Sequence, residues 1–293
     1  MYVPGDAVIT QRAERNLNRI AYTAEMERRH FITSTLGATF MAATSNSSSA
    51  QTQNVNTRTP ELYVWRQYLL RTGTQLGRLA DYLQNAAIPA LNRLGHSPIG
   101  VFEVMFGLPT PAVFVLTPAS SLESLASTET GLERDEAFMK AGAGYFNAAP
   151  TDPVYVRQEV SLLTAFSNVP KIEIPAATAA KGPRLFELRT YESHNERAHR
   201  AKVRMFAEMG EVDIFRVCGL TPVFFARTLA GSRMPNLMYL LVHENMAGRE
   251  KSWDNFRNNA EWKKLSSTPG YTDPEIVSNI TTVFLRPAAY SQI

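Results

Sequence analysis

The chain has one cysteine, Cys218, so no internal disulfide can form and stability must come from packing. Cys218 sits between Val217 and Gly219 in an apolar context, which reads as a buried, inert thiol rather than a nucleophile. Its five histidines do not cluster with cysteines or carboxylates at ligand spacing. His194 and His199 fall on different faces of one helical pattern, so they cannot share a metal. No metal site and no cofactor is expected. An apolar run of about 18 residues, the length of a membrane span, is also missing. Charge of neither sign dominates: the net charge is +3 over 293 residues, whereas a nucleic-acid binder would show a dense basic face. The glycines are scattered, with no phosphate-cradling loop and no Gly-x-Ser-x-Gly elbow.

Two short stretches organise what is there. Leu62-Tyr63-Val64-Trp65-Arg66-Gln67-Tyr68 and Arg184-Leu185-Phe186-Glu187-Leu188-Arg189-Thr190-Tyr191 both read as strands. Strand side chains alternate faces, so Arg66 and Tyr68 share one face, as do Glu187, Arg189 and Tyr191. The opposite faces carry Tyr63 and Trp65, and Phe186 and Leu188. Around these strands the same element order occurs twice. In the first copy, Leu76, Leu79, Ala80, Leu83, Ala87 and Leu91 form a helical stripe that Pro89 should bend or break and Gly95 should end. Ile99–Phe106 and Ala112–Leu116 form a hairpin. Ser120–Met139 is helical, in two pieces around Thr130-Gly131, and Tyr155–Phe166 closes the unit. His96, just after Gly95, reads as a cap-region residue. In the second copy, His194–Met209 is a helix and Val223–Leu229 with Leu237–Val242 a hairpin. Trp253, Phe256 and Ala260 make a helical stripe, and Ile276–Leu285 is the last strand. Gly219 matches Gly95, Pro222 matches Pro98, and Trp262 aligns with Phe138.

The order β-α-β-β-α-β is the ferredoxin-like unit, with helices on one face of a sheet. The expected fold is therefore α+β, with two tandem ferredoxin-like halves at 61–170 and 184–293 joined by an Ala/Pro-rich linker at 171–183. Each sheet has one face without helices, and two such faces can cover each other as an intrachain barrel. With the apolar faces under the helices, Arg66, Tyr68, Glu187, Arg189 and Tyr191 point into the space between the sheets.

Residues 1–60 read as a disordered leader containing an export signal. Arg28-Arg29-His30-Phe31-Ile32 opens it, Phe31 to Ala43 is mildly apolar, and Ser48-Ser49-Ala50 offers small residues for cleavage. The segment resembles a twin-arginine signal, which implies translation from Met26 and a periplasmic or secreted protein. A plain disordered arm is the other reading.

The second copy resembles the NIPSNAP family of the dimeric α+β barrel superfamily. The residues that carry this are Phe186 to Tyr191, Phe215 to Phe225, Pro235 to Tyr239, Trp253 and Phe256, and Ala260 to Leu265. The first copy keeps Arg66, Tyr68, Gly95 and Pro98 but has Phe138 where the second has a tryptophan. The resemblance implies the barrel. Relatives in the superfamily include cofactor-free oxygenases, isomerases and haem-degrading enzymes, so it implies no single reaction. The leading expectation is an exported protein that binds a small, partly apolar ligand between its sheets, with candidate site residues Arg66, Tyr68, Glu187, Arg189, Tyr191 and His243. A cofactor-free oxygenase or isomerase, and an interaction module without a ligand site, stay open beside it. Arg189 is either a ligand-orienting group or one member of a structural ion pair. His243, beside Glu244 at a strand end, is either a general base or a supporting residue. Homo-oligomerisation is left open.

Overall fold

The structure is a computed structural model that describes residues 59–180 and 182–293. The twin-arginine segment and the proposed start at Met26 lie outside the described residues. The first half runs β1 (Leu62–Leu69), α1 (Gln75–Tyr82), a π-helical turn (Leu83–Ala87), α2 (Ile88–Arg93), β2 (Gly100–Phe106), β3 (Ala112–Ala119), α3 (Leu122–Glu133), α4 (Glu136–Ala141), α5 (Ala143–Phe146) and β4 (Arg157–Ala165). A short α6 (Ala176–Ala179) lies in the linker. The second half runs β5 (Leu185–Glu192), α7 (Glu196–Ala207), α8 (Glu211–Val217), β6 (Thr221–Ala230), β7 (Asn236–His243), α9 (Met246–Asn258), α10 (Ala260–Ser266), α11 (Asp273–Ile276) and β8 (Asn279–Pro287).

The strands close into one barrel in the order β1-β3-β2-β8-β5-β7-β6-β4, with antiparallel neighbours throughout. Each half contributes a ferredoxin-like sheet, and the β2–β8 and β4–β6 seams join the two. Closure pairs every strand on both sides and leaves no sheet edge to template aggregation. The fold is thus the intrachain α+β barrel expected from the repeat. The central strands β3 and β7 are buried at every position, because helices cover one face and the opposing sheet covers the other.

The faces are assigned the opposite way from expectation. The barrel interior is filled by Tyr63, Trp65, Phe186 and Leu188 together with Phe102, Phe114, Phe224 and Leu240. Trp65 stacks on Phe114 at 5.0 Å and lies 5.7 Å from Phe224, so one indole ties the two sheets together. Arg66, Tyr68, Glu187, Arg189 and Tyr191 face outward, under the helices. The physical reason is volume. An eight-stranded barrel encloses a space just wide enough to be filled by side chains, and bulky apolar groups fill it without stranding polar atoms. Arginine and tyrosine can instead meet partners on the helices.

Local features follow their chemistry. Gly95 and Gly219 both take positive φ, at 87° and 83°, and end the helices before them. Pro89 does not break the helix. It sits at the start of α2, and the missing N–H is absorbed by the widened π turn ahead of it. The break expected at Thr130-Gly131 falls later, where Asp135 caps α4 by accepting from Phe138 N. Gly131 stays helical, and a Cβ there would meet Leu94 Cδ2 at 2.9 Å. Ile276, expected to begin the last strand, ends the α11 turn.

Candidate functional site

Strand β5 places Glu187 and Arg189 on its outer face, and Glu187 is fully buried there. A buried carboxylate needs donors, and the second half supplies them from α9 and β7. Arg249 donates from Nε and Nη2 at 3.0 and 2.9 Å, and Trp253 Nε1 donates at 2.9 Å. His243 Nε2 lies 3.2 Å away, and since an ionised carboxylate only accepts, that nitrogen carries the hydrogen. Arg189 Nε completes the set at 3.5 Å. Burial alone would raise the Glu187 pKa. The hydrogen bonds from His243, Arg249 and Trp253 and the charge of Arg189 outweigh it and hold the value down to about 2. Arg189 has further partners: it donates to Thr282 Oγ1 and to the Tyr191 hydroxyl, and its guanidinium lies 4.5 Å from the Trp253 ring centroid. Four of the residues singled out from the sequence, Glu187, Arg189, Tyr191 and His243, therefore meet in one place. That place is a clasp holding α9 to the sheet, its polar groups partnered largely by one another. His243 contacts Glu187, not its neighbour Glu244.

A second buried charge packs nearby. Lys202 Nζ lies 3.4 Å from Glu211 and from Asp273, over the rings of Phe206, Tyr191 and Trp262. Burial pushes the Glu211 carboxyl up to about 7, with Lys202 pulling it back.

The first half repeats the backbone of the clasp without its partners. Arg66 aligns with Arg189, but Val64 stands where Glu187 does. Across the strands Arg66 faces Val115 and Val160, whereas Arg189 faces Tyr239 and Thr282. Only Tyr68 survives, as the equivalent of Tyr191. Arg66 Nε is buried without a hydrogen-bond partner, and no ion pair of Arg66 occurs among the described residues.

Above Arg66 lies a pocket of about 680 Å³. Its floor is Val64, Arg66 and Tyr68 of β1 with Val115 and Thr117 of β3. One wall is Tyr82, Leu83, Ala87 and Leu91, from α1, the π turn and α2. The other is Leu125, Thr128, Glu129, Leu132 and Glu133 of α3, closed by Phe138, Met139 and Phe146. Helix α3 buries none of its residues, while its counterpart α9 buries Trp253 and Phe256. Burial pushes the Tyr82 hydroxyl well above its usual range, with Arg66 pulling the other way, so it remains a neutral donor. His96 is buried behind the rim, with Nδ1 2.8 Å from Pro118 O and Nε2 2.8 Å from Thr128 Oγ1. Its backbone N–H, 2.9 Å from Leu91 O, also caps the end of α2, as its place after Gly95 suggests, while the side chain braces α3 against β3.

Between the sheets, the space is a packed core apart from a cleft of about 290 Å³ at one barrel end, lined by Trp65, Gln67, Ser161, Leu188, Thr190 and Arg233 among others. The sequence thus located two of the pocket's polar residues, Arg66 and Tyr68, and missed the helix-borne ones. Glu129, Thr128 and Tyr82 carry no local signal beyond their helical phase.

The fold and this site define an α+β barrel protein with one open and one closed sheet–helix interface. A solved structure of a monooxygenase-like protein from Lactobacillus acidophilus is similar to the chain, with a TM-score of 0.53 at 9% identity over 78% of this chain and 94% of that one. A likeness at such identity shows the fold alone. More particularly, the second half carries a NIPSNAP domain: residues 186–292 match the NIPSNAP family model. An uncharacterized NIPSNAP-like domain protein from Burkholderia xenovorans aligns at 18% identity over 37% of this chain and 88% of that one, with a TM-score of 0.33. A heme-binding protein from Thermus thermophilus aligns at 12% identity over 78% of this chain and 92% of that one, with a TM-score of 0.42. No curated protein matches the sequence.

Proposed function

We propose that the protein binds a small, partly apolar molecule bearing an acidic or strongly polar oxygen, held beneath the helices of the first half. One observation carries this reading. Arg66 lines a pocket of about 680 Å³ with its Nε buried and unpartnered, while Arg189 at the matching position has partners in Glu187, Thr282 and Tyr191. Arg66 is half-buried, and a buried Nε–H without an acceptor is costly, so an acceptor from outside the chain is favoured there. The pocket's size and its mostly apolar walls with a few convergent polar groups are those of ordinary small-molecule sites. Among its lining residues none is His, Cys or Lys, so the oxygenase or isomerase alternative gains no support from a catalytic base of those kinds. The open pocket weighs against a purely structural module. The site's place differs from the expected one, since it lies outside the barrel rather than between the sheets. We also propose that the protein works after export, which the order of arginine pair, apolar stretch and small residues supports. N-terminal sequencing from the native host tests that, and an intact Met1 on exported protein would refute it.

The ligand reading is tested by native mass spectrometry of protein from its own host, beside the Arg66→Met and Arg189→Met variants. The expected result is a co-purifying small molecule that Arg66→Met loses. A ligand retained by Arg66→Met would overturn the reading.

A further inference from the structure

Resting on that ligand site, we infer that the pocket takes an aromatic anion, its anionic oxygen at Arg66 Nε and its ring held among the pocket's apolar and aromatic walls. The second half is the pattern for this. There, Arg189 has two partners that matter: the Glu187 carboxylate, 3.5 Å from its Nε, and the flat indole of Trp253, 4.5 Å from its guanidinium carbon. The two partners also bind each other, through the indole N–H at 2.9 Å from Glu187.

The first half lacks both at matched positions. Val64 replaces Glu187 on the strand. On the helix, Ser121 caps α3 by accepting from Ser124 N, as Asn245 caps α9 by accepting from Gly248 N. Counted from these caps, Glu129 stands for Trp253, Leu125 for Arg249 and Leu132 for Phe256, and all three first-half residues line the pocket. What the second half supplies from its own chain, an oxyanion and an aromatic plate, is what the first half leaves out around the same arginine. The absence of any buried residue on α3 agrees, since the helix stands over space that its own side chains do not fill. Tyr82, Phe138 and Phe146 remain as aromatic walls, with Phe138 and Phe146 edge to face at 5.2 Å. A guanidinium pairs with a carboxylate in its own plane, and a ring carried on that carboxylate then lies against the aromatic walls rather than over the guanidinium. Glu129 and Glu133 are exposed on the pocket wall and disfavour a second negative charge on the ligand.

The test is calorimetric titration of the full chain with 2-naphthoate, decanoate and 2-naphthalenemethanol, which separate plate from charge. The expected result is 2-naphthoate binding about tenfold or more tighter than either of the others, about 1.4 kcal/mol for the ring contacts against decanoate and for the ion pair against the alcohol. Decanoate binding as well as 2-naphthoate would overturn the aromatic part and leave the ligand site standing. Equal binding of 2-naphthalenemethanol would overturn the anionic part in the same way. A variant that copies the second half's plug, Val64→Glu with Glu129→Trp, checks the correspondence itself. It should lose 2-naphthoate binding and melt at a higher temperature than the parent. Unchanged 2-naphthoate affinity in that variant would place binding elsewhere and overturn both the inference and the site it rests on. Failure of all three probes, with a host-derived molecule still lost on Arg66→Met, would overturn the inference alone.

Discussion

Arg66 and Arg189 occupy the same point of two copies of one fold, and their surroundings differ in nearly every neighbour. In the second copy, strand, partner strands and helix all supply groups to the arginine: Glu187, Tyr239, Thr282 and Trp253. In the first, the corresponding residues are Val64, Val115, Val160 and Glu129. The comparison teaches that the arginine itself is not the functional signal. The signal is an arginine whose copy of the site lacks the internal partners that the other copy has. A buried ion pair contributes little net stability, but one stranded member of it is expensive. The second half pairs its arginine within the chain; in the first, a half-buried arginine keeps one buried N–H unpartnered, a smaller cost that an outside acceptor can meet.

The sharpest way to break the comparison is to separate the halves. Residues 184–293 alone expose Phe186, Leu188, Phe224 and Leu240, which fill the barrel interior in the intact chain. That fragment should self-associate or aggregate, because an uncovered apolar sheet face seeks cover. A soluble monomer in analytical ultracentrifugation would refute the intrachain barrel as the stable unit.

The next largest effect is expected at the clasp. Glu187→Gln keeps the shape but leaves Arg249 and Arg189 without their carboxylate, and should cost about 3–5 kcal/mol in urea denaturation. A loss under about 1 kcal/mol would mean that the clasp is incidental. Acid titration probes the same group without mutation. Its folded pKa of about 2 lies below its usual 4.5, so its contribution is fully present above about pH 4.5 and is lost as the pH falls toward 2. The loss should approach about 3 kcal/mol and should vanish in Glu187→Gln. Stability curves of parent and variant that stay parallel across that window would contradict the assignment.

The smallest effect is the most telling one. Arg66→Met roughly conserves volume and strands no partner, so stability should change by less than ~1.5 kcal/mol. The same substitution at Arg189 leaves Glu187 short of a cation and should cost more. Equal losses at the two positions would erase the distinction between an open and a closed copy.

Much of this architecture is legible in the sequence, and the place where legibility fails has a physical cause. Strand alternation puts Arg66 with Tyr68 and Arg189 with Tyr191, and the repeat of Gly95 as Gly219 fixes the element order. Alternation gives parity but not direction: it says which residues share a face and is silent on which face lies inside. The bulk of Tyr63, Trp65 and Phe186 was the available clue, since a barrel interior has to be filled. The NIPSNAP resemblance of the second half is matched by the family model over residues 186–292. The pocket was not legible, because it is a property of what α3 fails to bury. Leu125 and Leu132 look like ordinary core positions until the space beneath them is seen to be open. The π turn was hidden by Pro89, whose local message is a break.

The linker between the halves has a consequence for how such a site can arise. A barrel assembled from two copies of one chain changes both of its arginine sites whenever the gene changes, so a valine replacing the clasp glutamate would loosen the protein twice. Residues 171–183 put the copies in one reading frame and give each its own codons. The two arginine sites are thereby free to differ, as Val64 differs from Glu187 and Glu129 from Trp253.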